Sequence, residues 1–600
     1  MLHFTGLKKA ITAGLLVGTI AGCGLFTHDT DQSERHSVIV RGTNFDTVKA
    51  AVEAVGGQIT HELRLIHSVG ANLSDEQLKA LRGQNGVRQI YENHGVSTSQ
   101  TAPGCTVTGK SEIKYEGGES ISWEITNTST VDIVLDSAMI LWPASNNRLV
   151  EVKREGDKIY GTPVSGISST FSNTYCLVDD SKRSLKKCDR KRFFFKFDKR
   201  LQSQEAYQIR LNFLQGCTIE FPPPPEQLLP GNSDKNARRS FISTLVGAKE
   251  LTWQGIDGRG VGVAVIDTGI WGSGGMSGYL LKDYYNNQRI LAQYDARGNK
   301  TLKVDENSDQ NGHGSHVSSL VASSRYKDNE FNGIAPNAKL IVARAFDAQG
   351  KGTYADVIRA LDWVVARKST YNIRVLNLSF SAPVRSHYWD DPLNQAVMAA
   401  WQAGIVVVAS AGNTGPAPMT GFAKPEIVAP GGHVRGMMEK SDRLAASHPL
   451  FHDTESYYTM SGTSQSAAIV SGVVALMVQA NPALTPDQVK CRLIASARPA
   501  VDASGQLAYS PLQQGAGLVN AYDAVYSTAN GCANRGLNVA ADLAGTAHYG
   551  GPVNQRADGT YYLMDPAGGA YDLWNGTYAK GAGYLWSDGY LWSDGYLWSD

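Results

Sequence analysis

The 600-residue chain has no excess of either charge: 56 basic residues meet 56 acidic ones, so no global field exists to gather nucleic acid or an anionic surface. Long apolar runs are also missing. The stretch from Ala10 to Ala21 is about a dozen residues, too short to cross a bilayer, and no later run of 18 or more is evident. A polytopic membrane protein is excluded. Charged residues make up 19% and apolar residues 42%, which excludes wholesale disorder and permits sizeable cores. At roughly 100 to 200 residues per domain, the length implies three to five domains.

What is present begins with an address. Lys8 and Lys9 precede the apolar run, and Ile20-Ala21-Gly22-Cys23 places small residues before a cysteine, as at a signal cleavage site. The tetrad resembles the lipobox of bacterial lipoproteins, which implies cleavage before Cys23 and lipidation of its sulfur; an ordinary secretory signal is the rival reading. One lipid anchors without spanning. Gly24 lacks the aspartate that retains some lipoproteins in the inner membrane, which favours the outer one. The remaining cysteines, Cys105, Cys176, Cys188, Cys217, Cys491 and Cys532, are even in number in an oxidising setting. Three disulfides are expected, four of the cysteines pairing before residue 220 and two after 490.

Residues 37–96 read as strand, helix, two strands, helix, strand, with Ser74 and Gln77 forming a capping box. Residues 101–221 are β-rich, broken by Glu116-Gly117-Gly118 and Glu155-Gly156-Asp157, and imply a β-sandwich. Between Lys182 and Arg200 lie ten basic and two acidic side chains. Such a run either touches lipid headgroups and other polyanions or is a solvated hairpin. Pro222 to Pro225 form a stiff spacer. Residues 583–600 are three copies of Gly-Tyr-Leu-Trp-Ser-Asp, readable as stacked short strands, as a carbohydrate or envelope contact, or as a flexible tail.

Chemistry concentrates between these regions. Gly260 to Ile266 is a continuous apolar run ending in Asp267-Thr268-Gly269, a carboxylate at the carboxyl edge of a buried parallel strand. The triplet occurs once, whereas aspartic proteases need two. In Asn311-Gly312-His313-Gly314-Ser315-His316-Val317 a histidine sits between glycines at a helix start. The spacing of His313 and His316 also permits a zinc pair, although no third ligand is evident. The strand Ile405 to Ala409 delivers Asn413, a candidate donor to a developing oxyanion. Ser464 follows Ser461-Gly462-Thr463 and opens a helix of small apolar residues, either as a cap or as a nucleophile beside the positive helix end.

Taken jointly, the order Asp, His, Asn, Ser closely resembles the four signatures of the subtilases, the S8 serine peptidases: Asp267-Thr-Gly, His313-Gly-Ser-His-Val, Ala411-Gly-Asn413 and Gly462-Thr-Ser464. Supporting matches are Gly333-Ile-Ala-Pro336, Asn377-Leu-Ser-Phe380, Lys424-Pro-Glu-Ile-Val-Ala-Pro430 and Gln514-Gly-Ala-Gly-Leu-Val-Asn520. The small α+β pattern at 37–96 is similar to the inhibitory propeptides of that family.

The resemblance implies a multidomain chain: a lipoprotein signal (1–23), an inhibitor I9-like α+β propeptide (24–100), a β-sandwich insertion domain (101–221), a Pro-rich linker (222–245), an α/β subtilisin-like catalytic domain with a parallel sheet (246–533) and a repeat tail (534–600). It also implies an exported serine endopeptidase made as a zymogen, held at the envelope by lipid or secreted after processing. Ser464 is then the nucleophile, His313 the base, Asp267 its partner and Asn413 an oxyanion donor. Gly350-Lys351-Gly352-Thr353 and Leu378-Ser379-Phe380-Ser381 match the family's two substrate edges. Polypeptide substrates and the chain's own propeptide are the expected partners, with no nucleic acid. No cofactor is required; calcium is common in the family, yet no ligand cluster demands it.

Two departures stand out. The serine motif continues Gln-Ser-Ala-Ala, where the family has Met-Ala after the serine and a proline at Ala468. Only ten residues, 414–423, separate the Asn413 motif from Lys424-Pro-Glu, too few for the usual extra strand and crossover. The alternative from a binding class is therefore an envelope adhesion lipoprotein with an impaired protease domain. A processing cut is expected between about Pro230 and Ser243.

Overall fold

The computed structural model describes residues 35–98, 107–110, 112–116, 118–128, 132–142, 146–160, 164–165, 168–172, 180–199, 207–213, 218–221, 242–327, 329–382, 386–413, 425–453, 456–501, 505, 507–509, 514–534, 537–548, 553–555 and 561–563. Cys23, the 222–241 linker, the 414–423 connection and the 583–600 repeats lie outside them.

The first unit carries strands β1 (Arg35–Gly42), β2 (Gln58–Leu63), β3 (Ser68–Ser74) and β4 (Val87–Glu92) in the antiparallel order 2-3-1-4, with helices α1 (Phe45–Ala54) and α2 (Asp75–Leu81). Asn44 caps α1 by accepting from Thr47 N–H (2.9 Å), and the Ser74/Gln77 capping box of α2 is present. Alternation along β1 divides its side chains: Val38 and Val40 join Phe45, Val48 and Leu81 in a small core, while Ile39 faces the main core of the molecule with Leu63 and Ile66. A last strand, β5 (Gly95–Ser97), leaves this unit altogether.

The second unit holds two antiparallel sheets around one core that includes Trp123, Ile140, Phe193, Phe195, Phe197 and Leu211. In strand Arg190–Phe197 the side chains of Phe193, Phe195 and Phe197 are buried in that core, and Arg192, Phe194 and Lys196 alternate with them. There Arg192 meets Glu116 (3.5 Å) and Glu124 (3.8 Å), Lys191 meets Glu155 (3.2 Å) and Lys196 meets Glu119 (3.7 Å). Part of the basic run is thus matched by carboxylates on the sheet, while Arg183 is buried.

The third unit contains β6 (Gly262–Asp267), β7 (Ile290–Asp295), β8 (Lys339–Arg344), β10 (Ile373–Leu378) and β11 (Val406–Ala409) in the parallel order 7-8-6-10-11, with Lys300–Leu302 antiparallel at the β7 edge. A short strand β9 (Lys351–Thr353) stands apart from that sheet. Helices α3 (His313–Ala322), α4 (Tyr354–Ala366), α5 (Pro392–Gln402) and α6 (Thr463–Ala480) cover it. Every residue of β6 is buried, as its continuous apolar run implied. By length and hydropathy α6 could cross a bilayer, which corrects the expectation of no later apolar run; burial of most of it in the core explains its composition. A further helix, α7 (Val539–Ala544), packs along α5 beyond the expected end of the domain.

Cys491 and Cys532 form a disulfide, whereas Cys188 is an exposed free thiol. The expected full pairing of six cysteines is thereby corrected: Cys188 sits at positive φ (64°) in the turn before Arg190–Phe197, with its thiol in solvent. Cys105, Cys176 and Cys217 lie outside the described residues.

Candidate active site

Asp267 ends β6, His313 begins α3 and Ser464 is the second residue of α6, so one sheet edge and two helix starts supply the three groups. All three are buried. His313 Nδ1 lies 2.8 Å from Asp267 Oδ1, which also accepts from Thr268 N–H (2.7 Å). Gly314 allows the start of α3 to come this close to the end of β6, since a Cβ there would lie 2.4 Å from the Gly269 carbonyl oxygen. Ser464 Oγ donates to the Ser379 carbonyl (3.4 Å), and His313 Nε2 is buried with no hydrogen-bond partner among the described residues.

Asp309 is the buried residue that sequence reading missed. Its Oδ1 accepts from Thr268 Oγ1 (2.8 Å), Asn311 N–H (3.0 Å) and Gly312 N–H (2.8 Å). Its Oδ2 accepts from Ser315 N–H (2.8 Å) and Oγ (2.7 Å), while Thr268 Oγ1 in turn accepts from Gly314 N–H (2.8 Å). This hub ties the end of β6 to the start of α3 and so sets the Asp267–His313 geometry. The one available signal was an acidic residue just ahead of a helix start.

Burial opposes the imidazolium of His313, but the charge and hydrogen bond of Asp267 and the charge of Asp309 outweigh it and hold its pKa above the ordinary histidine value. His316 behaves oppositely. Burial and the nearby His313 push it down to about 3, and its Nε2 lies against the carbonyls of Tyr458 (3.0 Å) and Val434 (3.2 Å). The two histidines therefore serve different partners and do not converge as a zinc pair. No group of three His, Cys, Asp or Glu placed to hold a metal occurs among the described residues.

Asn413 Oδ1 accepts from Thr463 N–H (2.8 Å) and Oγ1 (3.1 Å), which anchors its amide beside the first turn of α6, where backbone N–H groups favour negative charge. A carboxylate, an imidazole and a hydroxyl at such a place can carry out acyl transfer, with amide donors for the oxyanion.

The two expected substrate edges face each other across a strand of the chain itself. β5 pairs antiparallel with β9, Val96 opposite Gly352, and Ser97 forms a bridge with Ser381. Thr98 N–H donates to the Gly350 carbonyl (2.9 Å). Gly350 is at φ +73°, and a Cβ there would come within 2.4 Å of Thr98 Oγ1. Lys351 is exposed, and Thr353 caps α4 with Asp356. Phe380 packs on Phe346 (5.0 Å between centroids) behind the slot. Leu378 sits back in the sheet, its carbonyl bonded to Ser410 N–H (3.1 Å).

This fold and site place the chain in the subtilase family, whose profile matches residues 258–421 and 414–517. It is a serine-type endopeptidase. Serine protease AprX of Bacillus subtilis (strain 168) is 32% identical over 348 residues, 48% of this chain and 75% of that protein. Subtilisin DY of Bacillus licheniformis is 28% identical over 270 residues, 42% of this chain and 89% of that protein. The crystal structure of fervidolysin from Fervidobacterium pennivorans, a keratinolytic enzyme related to subtilisin, is matched at TM-score 0.49 and 16% identity, over 83% of this chain and 61% of that one.

Proposed function

We propose that the protease acts through Ser464, His313 and Asp267 and is made as an exported zymogen whose residues 35–98 block their own substrate slot. Ser464 Oγ attacks the peptide carbonyl and passes its proton to His313 Nε2, which later protonates the leaving amine; Asp267 holds the tautomer with Nδ1–H and stabilises the imidazolium. The Asn413 side-chain amide and the Ser464 N–H donate hydrogen bonds to the oxyanion. Reaching His313 requires the Ser464 side chain to rotate away from the Ser379 carbonyl.

The observation that carries the zymogen reading is β5 lying between β9 and Ser381 in the manner of a bound polypeptide. Val96 would then occupy the distal subsite and Thr98 the one next but one to the bond cut. A first processing cut falls just after Ser99, and a cut at 230–243 becomes a second step that frees the protease from the sandwich. Lipidation at Cys23, with the envelope or the medium as destination, completes the proposal; calcium enters no step of it. The test is labelling of the purified protein by a fluorophosphonate together with sequencing of the mature amino terminus. Ser464-dependent labelling that rises once residues up to 99 are gone supports the reading, and undiminished labelling of Ser464→Ala overturns it.

A further inference from the structure

The wall at the distal end of the slot is built from parts far apart in sequence. Next to β9, Tyr354 is buried, stacks edge-on against His94 (5.6 Å) and donates its hydroxyl to Asp391 Oδ2 (3.0 Å). Asp391 is also the cap of α5, accepting from Asn394 N–H (2.8 Å). It closes a turn in which Asp390 and Asp391 N–H both bond the His387 carbonyl (2.9 and 3.0 Å) and Gln395 holds the Trp389 carbonyl (2.6 Å).

That turn is gripped from the carboxy-terminal side. Trp389 lies between two imidazoles, His387 at 4.4 Å and 8° and His548 at 4.7 Å and 12°. The buried Tyr388 donates its hydroxyl to Asp542 (2.9 Å), the same oxygen that meets His548 Nδ1 (2.8 Å). Asp542 lies in α7, which packs along α5, and Leu537 ahead of it packs on the main core. A turn carrying two aromatic rings into solvent would otherwise expose their apolar faces; the sandwich and the buried carboxylate fix it in one place.

Given the slot proposed above, we infer that residues 537–548 are a positioning element of the protease: they clasp Tyr388 and Trp389, the clasped turn fixes Asp391, and Asp391 fixes Tyr354 at the distal subsite. None of these groups reaches Ser464, His313 or Asp267, so the clasp acts on binding of long substrates and not on the chemical step.

The test compares acetyl-Val-Ser-Thr-Ser-p-nitroanilide, which copies residues 96–99, with acetyl-Ser-Thr-Ser-p-nitroanilide, which stops short of the distal subsite. Both are assayed with the active protein obtained from the full chain, as wild type and as Trp389→Ala, His548→Ala and Trp389→Phe. The expected result is a KM about tenfold higher for the tetrapeptide in the two alanine variants, the size of a lost ring contact. Unchanged kcat, an unchanged tripeptide KM and recovery in Trp389→Phe complete the expectation. Equal losses on both peptides, or no loss on either, overturn the clasp while leaving the slot intact. A wild type that cuts the tripeptide as readily as the tetrapeptide overturns the slot assignment, and the clasp with it.

Discussion

Ser97 and Ser381 exchange both backbone hydrogen bonds, Ser97 N–H to the Ser381 carbonyl at 3.1 Å and the reverse at 2.8 Å, although 284 residues separate them in the chain. With Thr98 on Gly350 from the other side, the inserted strand is bonded along both edges, as the middle strand of a sheet would be. On the proposed reading its affinity rests on main-chain bonds, and its selectivity on the buried side chains Val96 and Thr98.

Val96→Asp places a carboxylate in that apolar position, which costs several kcal/mol unless the strand withdraws. The full-length variant is expected to label with a fluorophosphonate at least about a hundredfold faster than the unprocessed wild type. Time-resolved labelling of uncleaved chains checks it, and equal rates would refute the role of Val96.

On the proposed mechanism Asn413→Ala removes one oxyanion donor, and it leaves Thr463 N–H without the Asn413 acceptor. A fall in kcat of about 10²- to 10³-fold with KM nearly constant is expected in steady-state assays on a peptide substrate.

His313 must be neutral to accept a proton, so kcat/KM rises with pH as the imidazolium disappears. Because its pKa is held up against burial by Asp267 and Asp309, the acid limb should lie above the ordinary value of about 6.5. Asp309→Asn removes one of these charges and should move the limb downward in a pH–rate profile. The Asp267–His313 pair favours folding fully below the unfolded-state pKa of His313, and that contribution fades as pH rises through the higher folded value. Asp309→Asn should also lower stability by about 1.5–3 kcal/mol in thermal melts, because Asp309 gathers charge-assisted bonds from both Thr268 and the start of α3.

The Cys491–Cys532 bond closes a loop with a sequence separation of 41. Chain-entropy scaling gives about 4 kcal/mol for such a loop, so Cys491→Ser/Cys532→Ser should lose stability of that order in denaturant titrations while retaining the Asp267–His313 site.

Motif order alone singled out Asp267, His313, Asn413 and Ser464 as candidates, because each sits where a local signal changes: a strand ends, or a glycine precedes a helix. The buried parallel strand β6 and the capping box at Ser74 were legible for the same reason, since periodicity and capping act over a few residues. What belonged to the fold as a whole was not legible. Asp309 looks like any acid in a polar loop until Thr268 and Ser315 close around it. Cys188 resembled a disulfide partner until its turn left it in solvent. The strand at Gly95–Ser97 carries no signal of its destination, because its partners at 351–353 and 381 lie hundreds of residues away. Hydrogen bonding between distant backbones is indifferent to side-chain identity, so only the tertiary structure could decide that Gly95–Ser97 pairs with 351–353 and Ser381, and that Trp389 stacks on His548.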